Sequence, residues 1–199
     1  MPVIRETIVT TANAVGGTHI APLGIIADGE GWILAPFRPS TTLENLQVVP
    51  YAVANYTDDV RVFAGCLTGR RDWPLVAGEK IPVARLAGAL AHAELAVTHV
   101  TEDAQRPRFH CRVLHRAAHA PFEGFNRAKA AVLEAAILVS RLGLLPREKI
   151  EQEIEYLKIA VEKTAGAAEQ EAWNWLMEKI REHDAAAERR AGEGRAPLR

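Results

Sequence analysis

The residue pattern of this chain changes near Phe125, and that change limits the folds that it can adopt. Before this point, short segments rich in β-branched residues alternate with Gly, Pro and Asn, which is typical of strands joined by turns. After it, three long segments carry apolar residues at helical spacing. The sequence therefore predicts an α+β protein, mostly β in its N-terminal part, with an α-helical C-terminal subdomain.

The N-terminal part contains six predicted strands. Pro22 and Gly24 lie inside the second, which indicates an edge or a bulge, because Pro cannot donate a ladder hydrogen bond. Residues 28–31, "DGEG", form a hairpin signal before the third strand. Residues 70–90 are typical of a linker. The predicted strands are residues 4–11, 18–27, 32–37, 48–57, 93–103 and 108–119, and the last two are expected to pair as a β-ribbon.

The C-terminal part carries three predicted helices. The first is almost entirely apolar and is expected to be buried. The second begins with Pro146 at a position that suits the first turn of a helix. The tail has no apolar face, so it is expected to be disordered. The predicted helices are residues 124–145, 146–166 and 167–183, and the predicted domains are residues 1–120 and 121–183 with a tail at 184–199.

Composition and charge exclude several classes of function. A net charge of -1 over 199 residues gives no electrostatic basis for binding nucleic acid or an anionic membrane. No apolar run is long enough to span a bilayer, and the N-terminus lacks the apolar core of a signal peptide. The two cysteines, Cys66 and Cys111, indicate no disulfide framework. We therefore expect a cytoplasmic protein with reduced thiols.

A cluster of hydroxyl side chains and one arginine follows the third predicted strand. Arg38, Ser40, Thr41 and Thr42 come at the start of a predicted short helix, where backbone amides and the helix dipole favour an anion. The spacing of Thr41 and Glu44 matches a capping box. Two interpretations follow: a seat for a phosphate, or a helix cap beside a solvated arginine. The local pattern alone favours the second.

A second candidate site lies at the start of the first C-terminal helix, where Asn126, Arg127 and Lys129 precede an apolar segment. Cations at a helix N-terminus oppose the macrodipole, which argues for a bound anionic group nearby. The alternative is an ion pair with Glu123 or Glu134, or with the β part of the chain. The sequence does not separate these two interpretations.

The histidines do not predict a metal site. His115 and His119 are four residues apart, and His110 is close, but a strand separates such positions widely. No acidic or cysteine partner stands at ligand spacing. His99 and His115 share the alternation phase of the neighbouring apolar residues, so we expect them to face a barrel interior or a dimer interface. Both cysteines are interpreted as packing residues.

Four segments together resemble one known family. They are "APLG" at residues 21–24, "PFRPSTTLENL" at 36–46, "VANYTDDVRVFA" at 53–64 and "PFEGFNRAKAAVLEAAILVSRL" at 121–142. The combination resembles the FMN-binding split barrels of the flavin-reductase-like superfamily, and within them it is most similar to the DUF447 family. Leu23 stands where many relatives have methionine, a change between apolar residues of similar volume.

The resemblance implies a split β-barrel with a helical C-terminal subdomain, non-covalently bound FMN, and a homodimer with the flavin near the subunit interface. By the same resemblance, Arg38 and the three hydroxyl residues hold the phosphate, and Asn55 reaches the ribityl chain or a ring carbonyl. The implied cofactor-binding residues are Ala21, Pro22, Leu23, Gly24, Phe37, Arg38, Pro39, Ser40, Thr41, Thr42, Asn45 and Asn55. No catalytic residue is assigned.

Three functions remain open at this point. The first is an oxidoreductase that transfers hydride between FMN and a small molecule, with a resemblance-based link to tetrahydromethanopterin-dependent one-carbon metabolism. The second is a non-catalytic FMN-binding carrier, sensor or assembly protein, because no general acid or base stands out. The third is a dimeric scaffold without flavin, whose helices bind a partner.

Overall fold

The computed structural model describes residues 2–193, and the chain folds into two units. The first unit contains the described residues up to Asp58 together with Arg71–Glu123. The second contains Asp59–Arg70 and the described residues from Gly124 onward. The first unit is therefore discontinuous in sequence, because Asp59–Arg70, which lies between its two parts, belongs to the second unit.

Six strands of the first unit form a closed barrel. The elements of this unit are β1 (Ile4–Ala12), β2 (Thr18–Asp28), β3 (Gly31–Leu34), α1 (Thr41–Val48), β4 (Tyr51–Tyr56), β5 (Leu75–Val76), β6 (Arg85–Leu86), β7 (Ala91–Thr101) and β8 (Arg108–Ala118). The barrel order is β1-β2-β3-β8-β7-β4, and every neighbouring pair is antiparallel. The predicted β-ribbon is the β7–β8 pair.

The pairing of β2 is uneven along its length. All of Thr18–Ile26 pairs with β1, but β3 pairs only with Ile26–Asp28 because it is four residues long. Among the described residues, Thr18–Ile25 therefore have a partner strand on one side only. Pro22 lies in this stretch, which confirms the predicted edge position.

Alternate residues of the strands fill the barrel interior, as the period of two requires. α1 adds two leucines to the same core. The buried residues of this core are Val9, Ile25, Trp32, Leu34, Leu43, Leu46, Ala52, Ala54, Ala93, Leu95, Phe109 and Cys111. Burial of this apolar surface is the main stabilising term of the barrel.

Residues 70–90, predicted to be a linker, instead cover the outer face of β1, β4 and β7. Ile81 and Val83 pack against Ala12 and Val53 on that face. Buried polar side chains of the strands also bind the segment, because Thr10 Oγ1 donates to the Ala84 carbonyl at 2.6 Å. Residues 71–90 of the segment are thus part of the first unit, and β5 and β6 pair within them.

The second unit is helical. Its elements are α2 (Val60–Leu67), α3 (Arg127–Val139), α4 (Arg147–Thr164) and α5 (Ala167–Glu193). Its buried core is made mainly of small residues of α3 together with Val60, Ala64, Val161, Ala172, Trp173 and Leu176. The predicted buried helix is confirmed as α3.

Two domain predictions differ from the structure. Residues 1–120 were predicted as one domain, but α2 within that range packs with the C-terminal helices. The tail from residue 184 was predicted to be disordered, but α5 continues to Glu193. Its Ala, Glu and Arg residues favour a helix even without an apolar face, and Arg147 contacts Asp184 at 3.5 Å. Residues 194–199 lie outside the described residues.

Within residues 2–193, none of the helices has both the length and the apolar character needed to cross a membrane.

Asn55 provides a test of how the covering segment is held. Its fully buried side chain accepts the Leu86 N–H at 2.8 Å and donates to the Ile8 carbonyl at 3.0 Å. Asn55→Ala leaves buried backbone groups unpaired, so we expect the free energy of unfolding to fall by about 1–3 kcal/mol in urea denaturation. The control Asn174→Ala, at an exposed position of α5, should change it by no more than about 0.5 kcal/mol. Equal effects of the two substitutions would contradict this role.

Candidate functional site

The turn after β3 leads directly into the N-terminus of α1. Ser40 is the N-cap, and its Oγ accepts the Leu43 N–H at 3.3 Å. The predicted capping box of Thr41 and Glu44 is therefore wrong by one residue, because Ser40 already occupies the capping position and Thr41 begins the helix. Thr41 is exposed and Thr42 is buried.

The start of α1 has the features of an anion site. The amides of the first helical turn have no acceptor within the helix, and the helix dipole favours negative charge there. Three hydroxyl side chains, of Ser40, Thr41 and Thr42, lie at this end, and Arg38 comes two residues before the cap. The four residues that the sequence predicted for a phosphate thus lie in this turn and the first helical residues, and their contact with a phosphate stays a prediction.

The turn between β7 and β8 adds a second cation beside this loop. Arg38 N donates to the Gln105 carbonyl at 2.8 Å, and its guanidinium lies 3.4 Å from the Glu102 carboxylate. The guanidinium of Arg106 donates to the Ala35 carbonyl at 3.0 and 2.9 Å and lies 4.3 Å from the centre of the Phe37 ring. Sequence reasoning missed Arg106, because only the β3–β8 pairing shows that the two segments are neighbours.

The predicted ring-binding residues of β2 divide between its two faces. Leu23 packs against the barrel core, and alternation places Ala21 on the same face. Gly24 faces the other way, where an added Cβ would lie 3.0 Å from the Ile4 side chain and 3.1 Å from the Glu6 carboxylate. Pro22 shares that face. All four residues lie in the stretch of β2 that has β1 as its partner on one side only.

α1 is attached to the strands close to this stretch. Asn45, which is buried, donates from Nδ2 to Thr11 Oγ1 at 3.0 Å. Thr11 pairs with His19 of β2, two residues from Ala21. α1 contacts both β1 and β2, so the helix and this stretch of β2 belong to one region of the barrel.

Asn55 lies elsewhere, and the structure does not support its predicted contact with a cofactor. Its side chain points to the outer face of β4, beneath the covering segment. Besides Leu86 N and the Ile8 carbonyl, it contacts the Val53 carbonyl at 3.2 Å and Thr10 Oγ1 at 3.4 Å. The amide is fully buried and its hydrogen-bonding capacity is used inside the protein.

The second candidate site lies at the start of α3 in the helical unit. Asn126 is the N-cap: its Oδ1 accepts from Ala128 N at 2.8 Å and Lys129 N at 3.2 Å, while its Nδ2 donates to the Thr164 carbonyl at 2.9 Å. Asn126 therefore joins α3 to the end of α4, and this use of both ends of its amide does not fit a contact with an anion. Arg127 is exposed and Lys129 is half-buried, and their role as anion contacts stays a prediction.

Two histidines and a glutamate converge on the outer face of the barrel. One ring nitrogen each of His92 and His115 and a carboxylate oxygen of Glu79 lie within 4.8 Å of one another. Of the two predicted positions of His115, the barrel interior is wrong, because a bulge in β8 pairs Val113 with Leu95 but His115 with Glu94, and the dimer interface stays a prediction. This turns His115 to the face opposite the core. Burial, with the nearby Arg85, lowers the pKa of His92.

Neither cysteine has the properties of a nucleophile. Cys111 lies in the barrel core, where burial raises the pKa of its thiol to about 12. Cys66 is buried in α2. Their interpretation as packing residues fits these positions.

Two family models match the chain. The model described as "Protein of unknown function (DUF447) N-terminal domain" matches residues 5–120, and that described as "Protein of unknown function (DUF447)" matches residues 126–178. The chain belongs to the DUF447 family. A comparison of this DUF447 protein with curated proteins finds no match.

Several solved structures share the fold of this DUF447 protein. An FMN-bound protein of the same family from Methanosarcina mazei aligns with a TM-score of 0.77 at 23% identity, over 90% of this chain and 96% of that one. The 2-nitrobenzoate 2-nitroreductase of Pseudomonas fluorescens aligns with a TM-score of 0.51 at 17% identity, over 60% and 66%. A flavoredoxin from Methanosarcina acetivorans gives 0.50 at 14%, over 60% and 69%. The predicted split β-barrel with a helical C-terminal part is thereby confirmed.

His19 is a titratable residue of this DUF447 protein that the sequence did not single out. Burial, with a smaller contribution from Arg71, lowers its pKa. The unfolded chain takes up this proton near about pH 6.5 and the folded protein only at lower pH, so stability falls as pH falls below about 6.5. We expect His19→Gln to weaken this pH dependence in urea denaturation between about pH 7 and pH 5. An unchanged slope would show that His19 is not the group responsible.

Proposed function

We propose that this chain binds FMN non-covalently, with the phosphate at the N-terminus of α1 and the isoalloxazine ring along the open edge of β2. The observation that carries the proposal is the position of α1, whose start is rich in hydroxyl side chains, beside β1 and β2. Membership of a family that includes an FMN-bound protein supports the choice of FMN over other anions.

The residues present fit a phosphate dianion. Ser40, Thr41 and Thr42 supply hydroxyl donors, and the first amides of α1 supply backbone donors. Arg38 is 41% exposed at its side chain, and its contact with the exposed Glu102 at 3.4 Å is a weak surface pair. It is therefore free to exchange that contact for a charge-assisted bond to phosphate. Arg106 adds positive charge to the same loop.

The isoalloxazine ring needs a flat surface and donors for its polar edge. Backbone groups of Ala21–Gly24 at the open edge of β2 can supply both, because within residues 2–193 these four residues have β1 as their one partner strand. Phe37 is 60% exposed and offers an aromatic face near the cations. We place the flavin near a homodimer interface, as the resemblance implies, and an exposed Phe37 suits a position that a second subunit covers.

FMN would supply the hydride chemistry, and the protein would supply position and electrostatics. The proposed activity is an oxidoreductase that exchanges hydride with a small molecule, and the tetrahydromethanopterin link remains a prediction from the resemblance. The alternative is a non-catalytic carrier, sensor or assembly protein. One observation favours it: within the two segments 21–24 and 37–45, only Arg38 and Glu44 have ionisable side chains.

FMN binding tests the proposed site directly. Fluorescence titration of the purified protein should show saturable quenching of FMN, and Arg38→Ala should weaken the Kd about 10- to 150-fold, as the loss of one charge-assisted bond of about 1.5–3 kcal/mol requires. The control Arg112→Ala removes an exposed arginine in the middle of β8 and should leave the Kd unchanged. Equal affinity of the Arg38 variant and the unmodified protein would rule out this phosphate site.

Reduction of the bound flavin separates the enzyme from the carrier. If the chain is an oxidoreductase, NADH or NADPH should bleach the flavin absorbance anaerobically, and an acceptor should restore it over repeated cycles. Photoreduced FMN–protein that is reoxidised by the same acceptor serves as the control for the second half-reaction. Flavin that binds tightly but is reduced no faster than free FMN would support the non-catalytic alternative.

A further inference from the structure

The cluster of Glu79, His92 and His115 has no part in the proposed flavin site. His92 belongs to β7 and His115 to β8, and both face the outer side of the barrel. Glu79 comes from the covering segment between β5 and β6. All three belong to the first unit, and their potential ligand atoms lie within 4.8 Å of one another.

The buried carboxylate of Glu94 binds the backbone at Glu79 and so fixes this residue beside the two histidines. Glu94, fully buried on β7, accepts the Glu79 N–H at 2.5 Å and the Lys80 N–H at 2.7 Å. Gly78 permits this approach, because an added Cβ would lie 2.5 Å from the Val83 carbonyl and 2.7 Å from the Ile81 carbonyl. The backbone next to Glu79 is thus fixed, while its side chain remains 52% exposed.

The hydrogen bonds of His92 leave one ring nitrogen available. Its Nδ1 lies 2.8 Å from Nε2 of His119, which is a good hydrogen-bond distance. Its Nε2 is buried and has no hydrogen-bond partner among the described residues; Glu94 Oε1 is 3.5 Å away, outside hydrogen-bond geometry. An unpaired polar atom inside a protein is costly, and it calls for an explanation. If Nδ1 carries the proton and donates it to His119, the Nε2 lone pair points into the cluster.

His115 presents a second nitrogen in the same state. Its Nε2 is also buried without a hydrogen-bond partner in the described part of the chain, and Glu79 Oε2 lies 3.2 Å away. Metal–ligand bonds of about 2.0–2.1 Å place neighbouring ligand atoms of a tetrahedral site about 3.3–3.4 Å apart. The distance of 3.2 Å between His115 Nε2 and Glu79 Oε2 is close to this ligand–ligand separation. The other two separations are within 4.8 Å, and rotation of the half-exposed Glu79 side chain can adjust the distance from its carboxylate to each histidine.

We propose that Glu79, His92 and His115 bind one divalent first-row transition-metal ion, through Nε2 of each histidine and one carboxylate oxygen. Two imidazoles and a carboxylate select zinc and its neighbours over Mg²⁺ and Ca²⁺, which prefer oxygen ligands. His119 then acts as the outer partner that fixes the His92 tautomer, a role commonly found around metal-bound histidines. The 52% exposure of the Glu79 side chain gives water access to a fourth coordination position. The inference is independent of the proposed flavin site.

The test uses the untagged full chain after dialysis against a chelator. Calorimetric titration with ZnCl₂ should show one ion per chain, and Co²⁺ should give visible bands typical of low-coordinate nitrogen and oxygen ligation. Glu79→Gln and His115→Gln should each weaken Zn²⁺ binding by at least about 100-fold, and His119→Gln by about 10- to 100-fold. His110→Gln, a histidine on the same strand outside the cluster, should leave the affinity unchanged.

Circular dichroism of each variant establishes that it is folded, and FMN titration should show unchanged flavin affinity. The proposal is overturned if the chelator-treated chain binds no Zn²⁺ at micromolar concentration, or if the Glu79 and His115 variants bind it as the unmodified chain does. It is also overturned if His110→Gln reduces binding as strongly as His115→Gln. If a variant fails to fold, the Co²⁺ spectrum of the unmodified chain decides the question: bands of octahedral, water-rich coordination would contradict the site.

Discussion

The shortness of β3 is the constraint on which the candidate flavin site depends. β2 and β8 each have eleven residues, but the strand between them has only four. β3 therefore pairs with β2 only at Ile26–Asp28, and in the described part of the chain the rest of β2 has β1 as its one partner strand. The chain bends at Arg38 and Pro39 and leads into α1, whose Leu43 and Leu46 complete the core. A β3 of full length would occupy the backbone groups that a ligand needs.

Polar groups determine how the outer face is covered. Thr10, Asn55 and Glu94 are fully buried on that face, and each bonds to backbone of the covering segment. Buried polar groups are costly when unpaired, so only one placement of the segment satisfies all three. Apolar contacts of Ile81 and Val83 would tolerate small displacements, whereas these hydrogen bonds do not. The same bonds set Glu79 beside the two histidines.

Much of this arrangement could be predicted from the sequence, because it is local. The period-two segments, the hairpin at residues 28–31 and the buried character of α3 all follow from neighbouring residues. The cap of α1 was misplaced by one position because Ser40 and Thr41 have equivalent side chains. The β8 bulge interrupts the period of two, so the sequence could not predict which face of the barrel His115 lies on.

Contacts between distant segments were the part that local patterns could not give. Arg106 reaches the Ala35 carbonyl across 71 positions, and its place depends on how β3 pairs with β8. Glu79 is 36 positions from His115 in the sequence, and it lies beside the two histidines because Glu94 binds its backbone. Asn55 was expected at the ligand, but strand alternation directs it to the outer face. In each case a single residue acquires its role from the sheet register.

The faces of β7 indicate what a bound metal would do. Ala93 and Leu95 point into the barrel core, while His92 and Glu94 point outward, so a metal ion would lie on the opposite side of the strand from the core. It would join β7, β8 and the covering segment, and it would bind the folded chain in preference to the unfolded one. Its free energy of binding would then add to the stability of the barrel. On this geometry the ion would stabilise the wall of the barrel and would take no part in chemistry at the proposed flavin site beside α1 and β2.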